Sequence, residues 1–220
     1  YQGEGKKKWN YNTDIGIAVE KLRQVIESIS EVIYKELFKV ALAAILLDVS
    51  NLYRNGKCLS YKKKWEDRKI VEKDVFDKFD EKVLKELKCD IENSITRTKI
   101  NNKERLYNQD SRIGIANEVD DNSIDLVITS PPYLNSRDYT DTYMLELKTL
   151  GFTKTSEEIK ELREKTLRSH VQIKWNDTSN VNNELLENTL VELEEASKEI
   201  EKWNDSIIDM VRLYFVDMQN

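Results

Sequence analysis

The sequence predicts an α/β chain in which helix dominates. Three observations carry that expectation. Apolar residues recur at helical spacing over long stretches. Glycine and proline make up only about 4% of 220 residues, where roughly 12% is usual. Strand-like β-branched runs are confined to one short region.

The first helical pattern starts at Ala18 and continues through Leu22, Val25, Ile26, Ile29, Ile33, Leu37, Phe38, Ala41, Leu42, Ile45 and Val49. It predicts one long helix, or two abutting ones, over 18–49. The segment Ser50-Asn51-Leu52-Tyr53-Arg54-Asn55-Gly56-Lys57 stops it with Asn-Gly turn chemistry. Val75, Phe79, Val83, Leu87 and Ile91 predict a second helix. The character changes at Glu104. Arg105-Leu106-Tyr107-Asn108 reads as a short strand, and Ile124-Asp125-Leu126-Val127-Ile128-Thr129 as a buried one. Helices follow at roughly 138–150, 156–169 and 184–218. The chain therefore divides into a mainly helical region over 1–103, a strand-bearing part over 104–175 and a long C-terminal helix over 176–220. Two strands do not make a stable sheet alone, so its other strands are expected outside this chain or in a partner.

Acidic residues number 41 against 35 basic ones, for a formal net charge of -6. This balance argues against nonspecific nucleic-acid binding over the whole surface. Charge is uneven along the chain. Residues 51–70 carry seven basic side chains against Glu66 and Asp67, whereas 184–205 carry eight acidic ones against Lys198 and Lys202. The basic run reads first as a solvated face, with a local nucleic-acid surface as the alternative. The longest apolar run, Val40 to Leu47, is too short to span a bilayer, and no signal pattern opens the chain. No membrane association is expected, and the location expected is cytoplasmic. Cys58, Cys89 and the single His170 provide neither a disulfide scaffold nor a metal-ligand set, so no metal is expected. A first residue other than Met leads us to expect a piece of a larger protein.

Chemistry concentrates at Ser130-Pro131-Pro132-Tyr133, which holds both prolines of the chain. A rigid strand-to-helix turn is the purely structural reading, because proline ends a ladder and restricts the residue before it. Such a turn also offers a ligand something specific. Two prolines remove two N–H donors and leave carbonyls and a hydroxyl as acceptors. A planar exocyclic amine on a nucleobase is a poor nucleophile because its lone pair is delocalised into the ring. Ser130 Oγ and the Pro131 carbonyl, by accepting its two protons, favour a pyramidal nitrogen with the lone pair aimed outward. Tyr133 is placed to stack on a base removed from its duplex.

The run Asp125-Leu126-Val127-Ile128-Thr129-Ser130-Pro131-Pro132-Tyr133 resembles the catalytic motif of the amino-group DNA methyltransferases. These enzymes modify cytosine N(4) or adenine N(6) with S-adenosylmethionine. The resemblance extends through 134–152, Leu162-Arg163 and Arg168-Ser169-His170-Val171-Gln172, and upstream to Ser50–Lys57 and Tyr61–Trp65. It covers about 50–175, and the proline motif is its most specific part. It implies part of a Rossmann-like S-adenosylmethionine-dependent fold, with Ser130, Pro131, Pro132 and Tyr133 catalytic and DNA as substrate. Serine at the first motif position is commoner in the cytosine branch, which tilts the base towards cytosine. Asp110 matches the acidic residue that contacts the cofactor's adenine amine in similar enzymes; a turn-capping aspartate is the equally weighted alternative. His170 is weighed as a packed or capping side chain against a nucleic-acid contact beside Arg163 and Arg168.

The chain departs from the family in two respects, the first being that the strands expected after the catalytic helix region are missing. The family's glycine-rich cofactor loop is absent; Gly3-Glu4-Gly5 lacks the preceding strand and the Pro-aromatic lead-in. The chain alone is thus expected to be inactive, carrying the target-base site without the methionine side of the cofactor pocket. A restriction-modification partner, or a missing part of the same protein, is the expected companion. Two other readings stay open: an amino-methyltransferase acting on RNA or protein, and a noncatalytic helical binding module with a vestigial motif.

Overall fold

Apolar spacing determines the first helices, and turn chemistry ends them. The computed structural model describes residues 7–56, 58–97, 106–134, 138–199 and 206–219. Helix α1 spans Thr13–Glu27 and α2 spans Val32–Val49, so the pattern over 18–49 resolves into two helices broken at 28–31. Their facing stripes, Ile15, Ala18, Val19 and Ile26 on α1 and Leu42, Ile45, Leu46 and Val49 on α2, are buried against each other. Full burial of one such side chain stabilises the fold by about 1.5–3 kcal/mol.

The predicted stop after α2 is also the start of a hairpin. Strands β1 (Leu52–Arg54) and β2 (Leu59–Tyr61) pair antiparallel, with Leu52 opposite Tyr61 and Arg54 opposite Leu59. Gly56 sits at φ +86°, a left-handed conformation that favours glycine. Helix α3 (Glu72–Glu81) continues through a π-helical stretch, Lys82–Leu87, into α4 (Lys88–Arg97). Val75 and Leu145 complete the core with α1, α2 and β1. Leu145 belongs to α7 (Met144–Thr149), which follows the short α6 (Tyr139–Thr142).

The chain folds as two units that alternate along the sequence. The first comprises 1–103 and 139–156; the second comprises 104–138 and 157–220. The second unit holds α5 (Ser111–Glu118), nearly all of α8 (Ser156–Glu164), α9 (Glu184–Glu199) and α10 (Ile207–Gln219). Residues 200–205, between α9 and α10, where the 184–218 pattern continues, lie outside the described residues. Ile159, Ile173, Met210, Leu213 and His170 are buried in this unit.

The strand expectations require correction. Neither 106–108 nor 124–129 forms a strand, and Arg105 lies outside the described residues. The Ile124–Thr129 run has no regular secondary structure and is exposed; Ile128 is 88% accessible. The hairpin β1–β2 is the one sheet among the described residues, and no parallel Rossmann-like sheet is present among them. The reason is mutual dependence: a β-branched run gains its strand only when neighbours supply the ladder and cover both faces.

Of the seven basic residues at 51–70, three take internal partners, and Lys57 lies outside the described residues. Lys62 Nζ donates to the carbonyls of Leu47 (2.6 Å), Asp48 (3.3 Å) and Ser50 (2.9 Å). Arg68 donates to the Asp48 and Ser50 carbonyls. Two cations thus cap the carboxyl end of α2, where the helix dipole favours positive charge. Burial, with the Arg68 charge beside it, pulls the Lys62 pKa down to about 8. Arg54 pairs with Glu146 and lies over the Tyr143 ring, 4.6 Å from its centre. Lys63, Lys64 and Lys69 are exposed.

Candidate active site

Ser130-Pro131-Pro132-Tyr133 continues the irregular 124–129 run within the second unit. Ser130 is exposed, the two prolines are half-buried, and Tyr133 is 79% accessible. Both groups expected to engage a base therefore stand accessible on one short segment. Backbone chemistry does little to hold it. The prolines bring no N–H, and no backbone–backbone hydrogen bond among the described residues reaches 124–134. The anchor comes from α10 instead: Tyr214 Oη donates to the Pro132 carbonyl at 3.1 Å. Leu134, the next residue, lines an apolar groove of about 640 Å³ with Val181, Leu186, Val211, Phe215 and Met218.

Asp110 is the N-cap of α5, and its Oδ1 accepts from the Arg112 backbone N–H at 3.0 Å. The Arg112 guanidinium also clasps it, with Nε 2.9 Å from Oδ1 and Nη2 2.6 Å from Oδ2. The hydrogen bond from Arg112 holds the Asp110 carboxyl below its usual pKa range. The capping geometry weighed from sequence is thus present, with an ionised, partly exposed carboxylate fixed in orientation.

Arg112 reaches further. Its Nη1 lies 3.0 Å from Asp217 Oδ1, and its Nη2 donates to the Lys165 carbonyl at 3.0 Å. Asp217, on α10, is only 5% exposed. It accepts from the Arg168 backbone N–H (2.8 Å), Nε (3.1 Å) and Nη2 (2.8 Å). Arg168 also pairs with Asp177. A buried carboxylate held by two guanidiniums satisfies the rule that buried charge is paired and hydrogen-bonded.

The nucleic-acid alternative for the His170 region meets contrary geometry. His170 is 1% exposed, with Nε2 3.2 Å from Thr166 Oγ1, and packs near the Trp175 ring. Arg163 Nε donates to the buried Asp138 at 2.9 Å, and Arg168 is occupied by Asp217 and Asp177. These three side chains build the second unit.

Sequence reading missed Arg112, Tyr214 and Asp217. A signal for the last was present: Asp217 follows Met210 and Leu213 on the buried stripe of α10, where a charge demands a partner. Among the described residues no group of three or more His, Cys, Asp or Glu side chains is placed to hold a metal ion. None of their helices is long and apolar enough to cross a membrane.

By sequence, the chain is similar to methyltransferases. More narrowly, the proteins it is similar to are type II methyltransferases. It is 33% identical over 159 residues to the type II methyltransferase M.BsoBI of Geobacillus stearothermophilus, covering 64% of this chain and 31% of that protein. It is 29% identical over 236 aligned positions to the type II methyltransferase M.AvaI of Nostoc sp. (strain PCC 7120) and of Anabaena variabilis, covering 94% of this chain and 46% of those proteins. The chain thus spans from 31% to 46% of the length of these curated relatives. No family model matches it, and no solved structure does.

Proposed function

We propose that the protein containing this chain is an S-adenosylmethionine-dependent DNA methyltransferase. In this reading it acts on the exocyclic amine of a flipped base, cytosine in preference to adenine. The observation that carries the reading is that Ser130 and Tyr133 stand exposed on the Ser130-Pro131-Pro132-Tyr133 segment of a chain similar to type II methyltransferases. Ser130 Oγ and the Pro131 carbonyl accept the two amine protons and turn the nitrogen lone pair outward. Tyr133 stacks on the extruded base. The Pro132 carbonyl, already engaged by Tyr214, fixes the turn.

When bound, S-adenosylmethionine supplies an electrophilic methyl group. Among the residues of this chain, Asp110 fits the cofactor's adenine amine, because its carboxylate accepts only. The rest of a cofactor pocket does not follow from the described residues. Gly56 and Gly151, which have positive φ, lie in other turns, and neither follows a strand into a helix. The chain by itself therefore contributes the base-holding turn and one cofactor contact. Its proposed companions are DNA and a restriction-modification partner, and the proposed location is the cytoplasm.

The test is Ser130→Ala in the protein expressed from its complete reading frame. Single-turnover methylation should fall at least ten-fold while DNA affinity changes little, because phosphate contacts elsewhere dominate binding. Equal losses in both would assign Ser130 to binding or folding.

A further inference from the structure

Among the described residues, one side-chain hydrogen bond holds the 124–134 segment, and it comes from a helix about eighty positions later in the chain. Tyr214 reaches the Pro132 carbonyl from α10, and its ring packs edge-on against Phe215 at 5.4 Å. Three positions further along the same helix, Asp217 grips Arg112, which clasps Asp110. Residues at this spacing are neighbours on a helix surface, about 4.5 Å apart along the axis. One turn of α10 therefore contacts both halves of the proposed site: the turn that holds the base and, through Arg112, the carboxylate that holds the cofactor.

We propose that Tyr214 and Asp217 are positioning residues, and that α10 acts as a common brace for the base-holding turn and the cofactor carboxylate. The inference rests on the methyltransferase reading above. Its physical basis is that the segment has no ladder bonds among the described residues and the prolines lack donors, so the orientation of the Pro131 and Pro132 carbonyls depends on an external donor. Tyr214 supplies that donor. Asp217, held in turn by Arg168, fixes the guanidinium that orients Asp110. Misplacement of acceptors by a fraction of an ångström lowers a rate without touching affinity.

The test uses the protein from its complete reading frame. Tyr214→Phe removes the hydroxyl alone and keeps the ring against Phe215. It should lower the single-turnover methylation rate about five-fold, the equivalent of about 1 kcal/mol, with cofactor KM and DNA affinity within two-fold of wild type. Arg112→Lys keeps the charge but loses the clasp, and avoids emptying the buried Asp217 site. It should raise the S-adenosylmethionine KM several-fold, with a smaller change in single-turnover rate. This crossed split separates positioning from general destabilisation, which would move rate, KM and melting temperature together. A Tyr214→Phe rate within two-fold of wild type, in a protein that Ser130→Ala does impair, overturns the brace and leaves the methyltransferase reading standing. Ser130→Ala with unaltered methylation overturns the reading itself.

Discussion

At the scale of single residues, the proposed chemistry rests on acceptors gathered where two prolines have removed the backbone donors. In the proposed site the Ser130 hydroxyl, its own proton turned elsewhere, and the Pro131 carbonyl each accept one proton of an amine that must surrender its planarity. The surrounding charges are arranged to keep carboxylates ionised. Asp177 is held well below the usual carboxylate range by Ser179 and then by Arg168, and Asp110 is held low by Arg112. Both groups bind protons less readily when folded than unfolded. Their contribution is therefore complete above the unfolded value near 3.8 and is lost as pH falls through the lower folded values. The urea midpoint of the second unit should hold steady from pH 7 to 5 and drop below pH 4. Asp177→Asn should shrink that acid-induced drop, measured by circular dichroism at each pH. An undiminished drop in the variant would mean that this carboxylate does not report on folding.

At the scale of elements, helices were legible and strands were not. The period through Ala18, Ile26, Leu42, Ile45 and Val49 marks α1 and α2 because a helix closes its own hydrogen bonds and needs only one covered stripe. The β-branched run at 124–129 obeys a different rule, since its ladder must come from other segments. The hairpin β1–β2 was hidden behind a correct reading of its turn: Asn55-Gly56 signalled a stop after α2, and the short Leu52–Arg54 and Leu59–Tyr61 flanks carried little alternation. The proline turn was legible because its two residues are rare here and adjacent. Its brace on α10 was not, since nothing local links Pro132 to Tyr214. The α1–α2 packing makes a quantitative prediction. Leu42→Ala, at a fully buried position, should destabilise the first unit by about 2–5 kcal/mol. Chemical denaturation measures that loss, and a change below about 1 kcal/mol would show that the two helices do not share a tight core.

At the scale of the whole molecule, two facts frame the function. The chain is similar to type II methyltransferases along nearly its full length, yet it spans less than half of theirs. In the proposed account it supplies base capture, and the methionine side of the cofactor pocket lies in sequence beyond it. A single contact from Asp110 contributes about 1 kcal/mol, far from the roughly -8 kcal/mol of micromolar binding. The measurement that bears most directly on the central claim is the identity of the methylated nucleoside. DNA incubated with S-adenosylmethionine and the protein from its complete reading frame is digested to nucleosides and analysed by mass spectrometry. The account predicts methyl groups on an exocyclic amine, cytosine N(4) foremost, and their loss in Ser130→Ala. Methylation at cytosine C5, or none on DNA at all, would contradict it.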